Sequence, residues 1–532
     1  MTINHNTDPF IQKTNNFFSW LISHASVEVS PKITVQDRRH FAQGFCLTAV
    51  EDIQQNEQLF KIPRSSILNV ETGSLYKEYL ANNVSIKAST KDDFLNNTGI
   101  FGQWETLILT IFYEIKVKGD SSFWYNYFQI LPQLDNDTSG DIFINNLMYW
   151  SDEELYNLKP SLVLTRLGKK QSLELYSNIV NILQNDLQIL NVDFNWNEFL
   201  YIASLVMSYS FDVELPVPTQ SQNSNEQGKE EDEEDEEDEE NIGYHKSMVI
   251  LADLLNADTH RCNANLLYSD THLIMCSIKP IAKNEQIYNT YGDYPNSELL
   301  RRYGYVEWQG SKYDFGEVPL INIKKFFQSK YFSNKNDSTF IDIILQLLSD
   351  NEYIVSNILE DETIVMESYD CYINGEIMDE FLCLVQLLTV VCENYQDFVQ
   401  ISSNTIGELG SVLKRIIKLY NNKNMLSGTC IINVKLIFDD RLKEYPNHAF
   451  RELNDSISSD NMLQVLREHM ADCVLQSEVN SIKNCFNNLE IGKQILTDVD
   501  YIGELNSKRK NKRLNNSDVR GNNNNNKRYK KC

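Results

Sequence analysis

Between residues 11 and 30, aromatic and apolar positions recur at helical spacing (Phe17, Phe18, Leu21, Ile22), which predicts a helix with one face on a core. From about Phe41 to Val70 the period shortens to two. Phe45, Leu47 and Ala49 alternate ahead of a Glu51-Asp52 turn, and Gln58-Leu59-Phe60-Lys61-Ile62 reads as a second strand stopped by Pro63. Helical spacing returns between Gly102 and Asp212, in Trp104 to Val117, Phe123 to Leu131 and Gln171 to Leu190, with Ser151-x-x-Glu154 forming a capping box. Short strands resume after Met248, at Leu273 to Ile278 and Gln286 to Tyr291, on either side of a Lys283-Asn284-Glu285 turn. β-rich pieces thus flank a helical insertion. Beyond about Lys324 four helical patterns follow, near 339–360, 376–400, 406–421 and 460–486, with no further strong strand signal and no internal repeat.

The predicted fold class is α+β. A split β-rich domain (15–100 and 243–320) is interrupted by a helical insertion (101–212) and an acidic loop (213–242). An all-helical C-terminal domain (321–505) and a basic disordered tail (506–532) follow. The loop and tail rest on composition: after Phe211 the chain turns to Pro, Gln, Ser and Asn and then to acid, too little apolar area to order.

The 532 residues carry 48 Lys and Arg against 75 Asp and Glu, a net charge of −27, which disfavours general affinity for nucleic-acid phosphate and suits a basic partner. Eleven consecutive acids occupy Glu230–Glu240, and Lys508–Cys532 holds ten basic residues against Asp518 alone. With both removed, 38 basic residues still face 63 acidic ones, so the body itself is acidic. The acidic run reads first as a solvating loop and second as a means of steering a Lys/Arg-rich substrate. Lys508-Arg509-Lys510 and Lys527-Arg528-Tyr529-Lys530-Lys531 resemble a nuclear import signal, so the nucleus is the expected location, with the cytoplasm as the other.

Ten cysteines show neither a CxxC pair nor Cys/His zinc spacing and read as reduced, mostly buried thiols, so no metal is expected. No secretory signal is visible, and the longest apolar run, Phe381 to Cys392, is interrupted by Gln386 and far short of the roughly 20 residues that cross a bilayer. A soluble intracellular monomer without membrane contact is the expectation.

The familiar nucleophile and phosphate-binding motifs, GxSxG, HExxH, the P-loop and a placed GxGxxG, are absent. What stands out is polar and aromatic density in two windows, Ala252–Asn265 and Asn289–Tyr305. Asn and Tyr suit neutral hydrogen bonding more than acid or base attack. His260, without partners at ligand spacing, reads as a solvated loop residue, and Cys46 as a small buried one.

These windows resemble the SET-domain protein lysine methyltransferases of the branch typified by the Rubisco large-subunit methyltransferase, and within it the fungal ribosomal-protein lysine methyltransferases and their animal relatives. Leu254-Leu255-Asn256-Ala257 matches the family's Asn-His segment, and Glu285-Gln286-Ile287-Tyr288-Asn289-Thr290-Tyr291-Gly292 its catalytic Tyr-Gly segment. Upstream, Gly44-Phe45-Cys46 resembles the first Gly-x-Gly segment. Phe123–Phe128 and Ser208-Tyr209-Ser210-Phe211 resemble pieces carried inside the split domain, so the likeness spans roughly residues 15–320. Two departures stand in it: Cys46 replaces the second glycine and Ala257 the histidine.

The resemblance implies S-adenosylmethionine as methyl donor and a lysine of a basic protein, by family a large-subunit ribosomal protein, as acceptor. Residue by residue it makes Tyr291 catalytic. It places the donor against Gly44, Phe45, Cys46, Asn256, Ala257, Tyr291 and Tyr303, and lines the lysine channel with Tyr209, Phe211 and Tyr303. Two other readings stay open: a catalytically silent SET-like adaptor for a basic protein, which Cys46 and Ala257 would suit, and a protein-histidine methyltransferase.

Overall fold

The computed structural model describes residues 8–38, 44–82, 102–133, 144–186, 194–215, 243–332, 335–359, 362–398, 403–446 and 462–506. The stretch 216–242, which holds the acidic run, and residues 507–532 of the basic tail lie outside the described residues, as does the end of the expected helix Gln171–Leu190. The chain divides into two units, Met1–Leu155 with Val163–Lys312, and Tyr156–Leu162 with Tyr313–Cys532.

In the first unit, α1 (Pro9–Ser23) starts where sequence chemistry favours it: Asp8 caps the helix by accepting the Phe10 N–H at 2.9 Å, and Pro9 occupies the first turn. Phe10, Phe17, Phe18 and Leu21 are buried, whereas Ile22, expected on the same face, is exposed. Among the described residues four strands precede the insertion, β1 (Glu28–Val29), β2 (Ile33–Asp37), β3 (Phe45–Ala49) and β4 (Gln58–Pro63). Six follow its helices: β5 (Ser210–Glu214), β6 (Tyr244–Met248), β7 (Asn256–Ala257), β8 (Ala264–Tyr268), β9 (His272–Ser277) and β10 (Tyr288–Asn289). The antiparallel sheet β1-β4-β9-β8 joins the two halves, with Ile62 opposite Leu273 and Phe60 opposite Met275 in its buried centre. Pairing across more than 200 residues is what makes the split halves one domain.

Between the halves lie α2 (Ser74–Asn82), α3 (Gln103–Phe112, continuing in a wider turn to Lys118), α4 (Tyr125–Phe128), α5 (Asp152–Tyr156), α6 (Lys169–Asn181) and α7 (Trp196–Tyr209). α8 (Asn296–Tyr303) follows β10. The Ser151–Glu154 capping box forms as expected, at 2.7 and 3.2 Å, and Asn195 with Glu198 forms another at the start of α7. The expected helix Phe123–Leu131 shrinks to the single turn of α4. Trp124 and Tyr127 are spent on packing against Trp20 and Phe17 of α1, at 6.1 and 6.3 Å between ring centroids.

The hairpin β5–β6 was not expected, although Phe211-Asp212-Val213-Glu214 alternates apolar and polar. β5 runs on into the span assigned to the acidic loop, so the boundary at 213 moves beyond Glu214. Glu214 lies opposite Tyr244, and the Leu215 N–H donates to the Gly243 carbonyl at 2.8 Å, closing the ends of the connection. Loop-closure entropy changes by only about 0.6 kcal/mol per doubling of loop length. Deleting 221–241 is therefore expected to leave the unfolding midpoint within a few degrees of the parent, and a thermal melt checks this. Loss of soluble protein would contradict it.

The second unit is mainly helical: α9 (Leu320–Tyr331), α10 (Lys335–Asp350), α11 (Glu352–Ile358), α12 (Asp379–Glu393), α13 (Tyr395–Phe398), α14 (Ser403–Lys423), α15 (Gly428–Leu442) and α16 (Met462–Asn488). The expected helix 339–360 breaks at Asn351, whose side chain accepts the Ile354 N–H and restarts the chain as α11. Two short pairings appear where no strand signal was read. β11 (Phe315–Pro319) runs antiparallel to β12 (Ser368–Tyr372), and β13 (Met425–Ser427) runs parallel to β14 (Gln494–Leu496). The unit also begins earlier than expected, after Lys312 rather than at 321, and includes Tyr156–Leu162 from within the span assigned to the insertion. Helix α12 is buried all round, and Gln386, the polar break in its apolar run, is satisfied by Ser427 through bonds of 2.8 and 3.2 Å. Among the described residues no helix is long and apolar enough to cross a membrane.

Candidate active site

The site is built where β3, β7 and β10 meet. Gly44 enters β3 with φ of +60°, a left-handed conformation that glycine adopts without steric cost, and its carbonyl accepts the Arg38 N–H at 2.7 Å. The Ile287 N–H donates to the Leu47 carbonyl at 2.8 Å and the Ala49 N–H to that of Glu285 at 2.9 Å, which lays the segment before β10 beside β3. β10 in turn runs parallel to β7, with Tyr288 opposite Asn256 and Asn289 opposite Ala257. The Asn256 amide Nδ2 closes the circuit by donating to the Phe45 carbonyl at 3.3 Å. Segments more than 200 residues apart are so held within one set of hydrogen bonds.

Phe45 offers this site its backbone, because its ring is stacked on Phe10 at 4.3 Å and 7°. Cys46 is fully buried, and burial pushes its thiol up against the opposing pull of Arg38, so it stays a neutral small side chain. Ala257 is buried too, and its carbonyl accepts the Tyr305 hydroxyl at 2.8 Å.

Tyr291 sits two residues beyond β10. Its hydroxyl donates to the Leu255 carbonyl at 3.2 Å, and its ring stacks on Tyr303 at 4.5 Å and 22°. The Tyr303 hydroxyl donates to the Tyr291 carbonyl at 3.3 Å, and Tyr305 stands nearly edge-on to Tyr291 at 6.4 Å. Gly292 follows with φ of +129°, and a Cβ there would lie 2.7 Å from the Tyr294 ring, so glycine is required for the turn that presents Tyr291. Tyr209 ends α7, whose Ser208 hydroxyl donates to the Arg302 carbonyl of α8 at 2.7 Å. Burial foremost, then the neighbouring phenols, raises Tyr291 far above the ordinary tyrosine range, and burial with the charge of Asp253 raises Tyr209. Both phenols therefore stay protonated near neutral pH. Phe211, on β5 opposite Ser247, is half-buried against the hydrophobic core of the unit.

Residues 44–292 match the SET domain family. Ribosomal lysine N-methyltransferase 4 of Saccharomyces cerevisiae is 38% identical over 496 residues, covering 92% of this chain and 94% of its own. The chain belongs to the SET-domain lysine N-methyltransferases. N-lysine methyltransferase SETD6 of Bos taurus is 27% identical over 58% of this chain and 61% of its own. A solved structure of Rubisco LSMT bound to sinefungin and monomethyllysine superposes with a TM-score of 0.54 at 17% identity, over 91% of this chain and 92% of that one, and so shares the fold.

Three groups of this SET methyltransferase were not read from sequence. Glu307 is buried and clamps the loop after β7: its carboxylate accepts the Thr259 N–H and hydroxyl at 2.7 and 2.6 Å, while its backbone exchanges two bonds with the Asn296 amide. Tyr305 and Asp253 lay within or beside the quoted motifs, but only geometry shows that one holds Ala257 and the other is buried. His260 is exposed, with Nε2 3.1 Å from the Gly310 carbonyl, as a loop residue. Among the described residues no cluster of His, Cys, Asp or Glu is placed to hold a metal ion.

Proposed function

We propose that this methyltransferase moves a methyl group from S-adenosylmethionine to the ε-amine of a lysine in a large-subunit ribosomal protein. The observation that carries the ribosomal assignment is the 38% identity to ribosomal lysine N-methyltransferase 4 along nearly the whole of both chains. Solved structures of Rubisco LSMT bound to AdoMet, and to lysine with AdoHcy, support the donor and acceptor classes. An acidic body supports a basic protein partner rather than bare nucleic acid, and the basic tail supports a nuclear location; a monomer suffices.

The donor supplies an electrophilic methyl group on a cationic sulfur. The residues present suit it: backbone at Gly44, Phe45 and Cys46, the Asn256 amide and the buried Ala257 would hold its polar amino-acid end, and the Tyr291–Tyr303 stack would offer an aromatic wall. In this reading Tyr209, Phe211 and Tyr303 line the lysine channel. Because the Tyr291 proton is committed to the Leu255 carbonyl, the lone pairs of its oxygen remain to accept from the amine or the transferring methyl, which sets their alignment. A lysine with pKa of about 10.4 must lose a proton at a cost of about 4.6 kcal/mol at pH 7, which an apolar channel and a nearby cation reduce.

Incubation with tritiated donor and ribosomes from cells lacking the protein tests the proposal, with mass spectrometry of the labelled peptide. A methylated lysine in a large-subunit protein is expected. No label above background, with no donor binding by calorimetry, would replace the enzyme by an adaptor.

A further inference from the structure

Past α8 the chain offers three residues in turn to one side of the site. Gly304, with φ of +64° and with the Asn145 backbone 2.4 Å from where a Cβ would sit, ends the helix after Tyr303 and turns the chain. The hydroxyls of Tyr303 and Tyr305 donate to the carbonyls of Tyr291 and Ala257, and two residues further on the Glu307 carboxylate accepts the Thr259 N–H at 2.7 Å and hydroxyl at 2.6 Å. Glu307 is itself anchored. Its N–H donates to Oδ1 of the buried Asn296 at 2.7 Å, and its carbonyl accepts Nδ2 of the same side chain at 2.9 Å.

The loop held in this way runs from Asp258 to Asn263, between β7 and β8. Toward β10 it is tied by the Asp258 N–H, which donates to the Asn289 carbonyl at 3.1 Å, and by the Asn263 side chain, which accepts the Tyr288 N–H at 2.8 Å and donates to the Gln286 carbonyl at 2.9 Å. Thr259 ties it on the other side, to the segment after α8. The Thr259 oxygen also accepts the Lys312 N–H at 3.1 Å, so its hydroxyl proton is directed at Glu307.

We infer that Glu307 is a positioning residue for the methyl donor, holding Asn256 and Ala257, through Thr259, in the arrangement that binds it. This rests on the donor reading of the Gly44–Asn256 pocket. Thr259 stands three residues after Asn256 and two after Ala257, so releasing it frees β7 to shift against Tyr303 and Tyr305. The tie is stiffer than a neutral one because the acceptor is a buried anion whose hydrogen bonds are charge-assisted. Burial foremost, then the charge of Asp258, pushes the Glu307 carboxyl up, while the two Thr259 bonds and His260 pull against that. Moving Thr259 away therefore strands a buried charge. Packing alone would not require a charge here, and an apolar side chain would avoid its desolvation.

Calorimetry of AdoHcy binding to the full chain, at a temperature where every variant is folded, tests the role without turnover. Glu307→Gln keeps the size and the backbone bonds to Asn296 but offers one side-chain acceptor where two are used. Its affinity should fall about tenfold, the result of reducing the binding-competent arrangement to about a tenth of the population. Thr259→Val removes the hydroxyl alone and should lose several-fold. The double variant should be no weaker than Glu307→Gln, because both changes break one tie. Thr259→Ser should restore wild-type affinity. In methyl transfer the donor KM should rise in step with these losses, with kcat at saturating donor within about threefold of wild type. Amide exchange at Thr259 in the donor-free protein should accelerate in Glu307→Gln and slow again on adding AdoHcy. A lowered melting temperature with AdoHcy affinity unchanged would make Glu307 a residue of stability alone and overturn the inference. Losses that add in the double variant, or a Thr259→Ser as weak as Thr259→Val, would do the same. If Glu307→Gln fails to fold, the Val and Ser variants of Thr259 decide. A wild type that does not bind AdoHcy sinks instead the donor reading.

Discussion

Tyr291→Phe is expected to bind donor within a few-fold of the parent while kcat falls by about 10²-fold or more, the scale associated with removing one positioned hydrogen-bonding group from a reacting centre. The ring stays, because its stack on Tyr303 at 4.5 Å and its edge contact with Tyr305 do not involve the hydroxyl. Stability should fall by only about 1 kcal/mol, since the loss is one hydrogen bond, at 3.2 Å, to the Leu255 carbonyl. A large loss of turnover with donor affinity preserved therefore isolates an alignment role. Tyr303→Phe is the comparison: its hydroxyl holds the Tyr291 carbonyl at 3.3 Å, so it should cost less in kcat. Unchanged turnover in Tyr291→Phe, measured by methyl transfer to the ribosomal acceptor, would remove the catalytic assignment.

Gly44, Asn256 and Tyr291 were singled out by the resemblance of their segments to those of the SET family, not by any local feature, and the structure brings the three segments into one hydrogen-bonded set. The alternation of Phe45, Leu47 and Ala49 marked β3, and Ser151 with Glu154 marked a helix start. Other features depend on partners distant in the chain. Nothing local in Asp253 distinguishes an exposed acid in a turn from a buried one bonded to Tyr127, 126 residues away. The β11–β12 ladder is similar. Phe315-Gly316-Glu317-Val318-Pro319 has a glycine and a proline and little strand propensity, and it becomes a strand through pairing with Ser368–Tyr372. Helix α15 was missed because its start is a glycine after the Ser427 cap and its apolar positions are mixed with Asn433, Lys435, Asp439 and Asp440.

Arg441→Met in the second unit is expected to be the most destabilising of these changes. Arg441 is fully buried on α15, and its guanidinium donates to the Glu317 carbonyl at 2.9 Å, the Pro160 carbonyl at 3.1 Å, the Tyr445 hydroxyl at 3.3 Å and the Glu444 carboxylate. Methionine fills much of the volume but leaves buried carbonyls of Glu317 and Pro160 without that donor. Breaking a buried ionic network from one side costs about 3–5 kcal/mol when a charge is stranded. The anion nearest to being stranded is Glu478, which accepts from Ser161 and Tyr445 and which burial already pushes up to about 7. Removing the guanidinium raises it further, so near neutral pH Glu478 takes a proton instead of remaining an isolated charge. The cost should then fall at the lower end, about 3 kcal/mol, and grow above pH 8, where keeping that proton becomes harder. Because Pro160 and Ser161 lie in the Tyr156–Leu162 segment, amide exchange there and at Glu317–Pro319 should accelerate together in the variant. A change below about 1 kcal/mol, or faster exchange in only one of the two segments, would show that Arg441 is not what holds them.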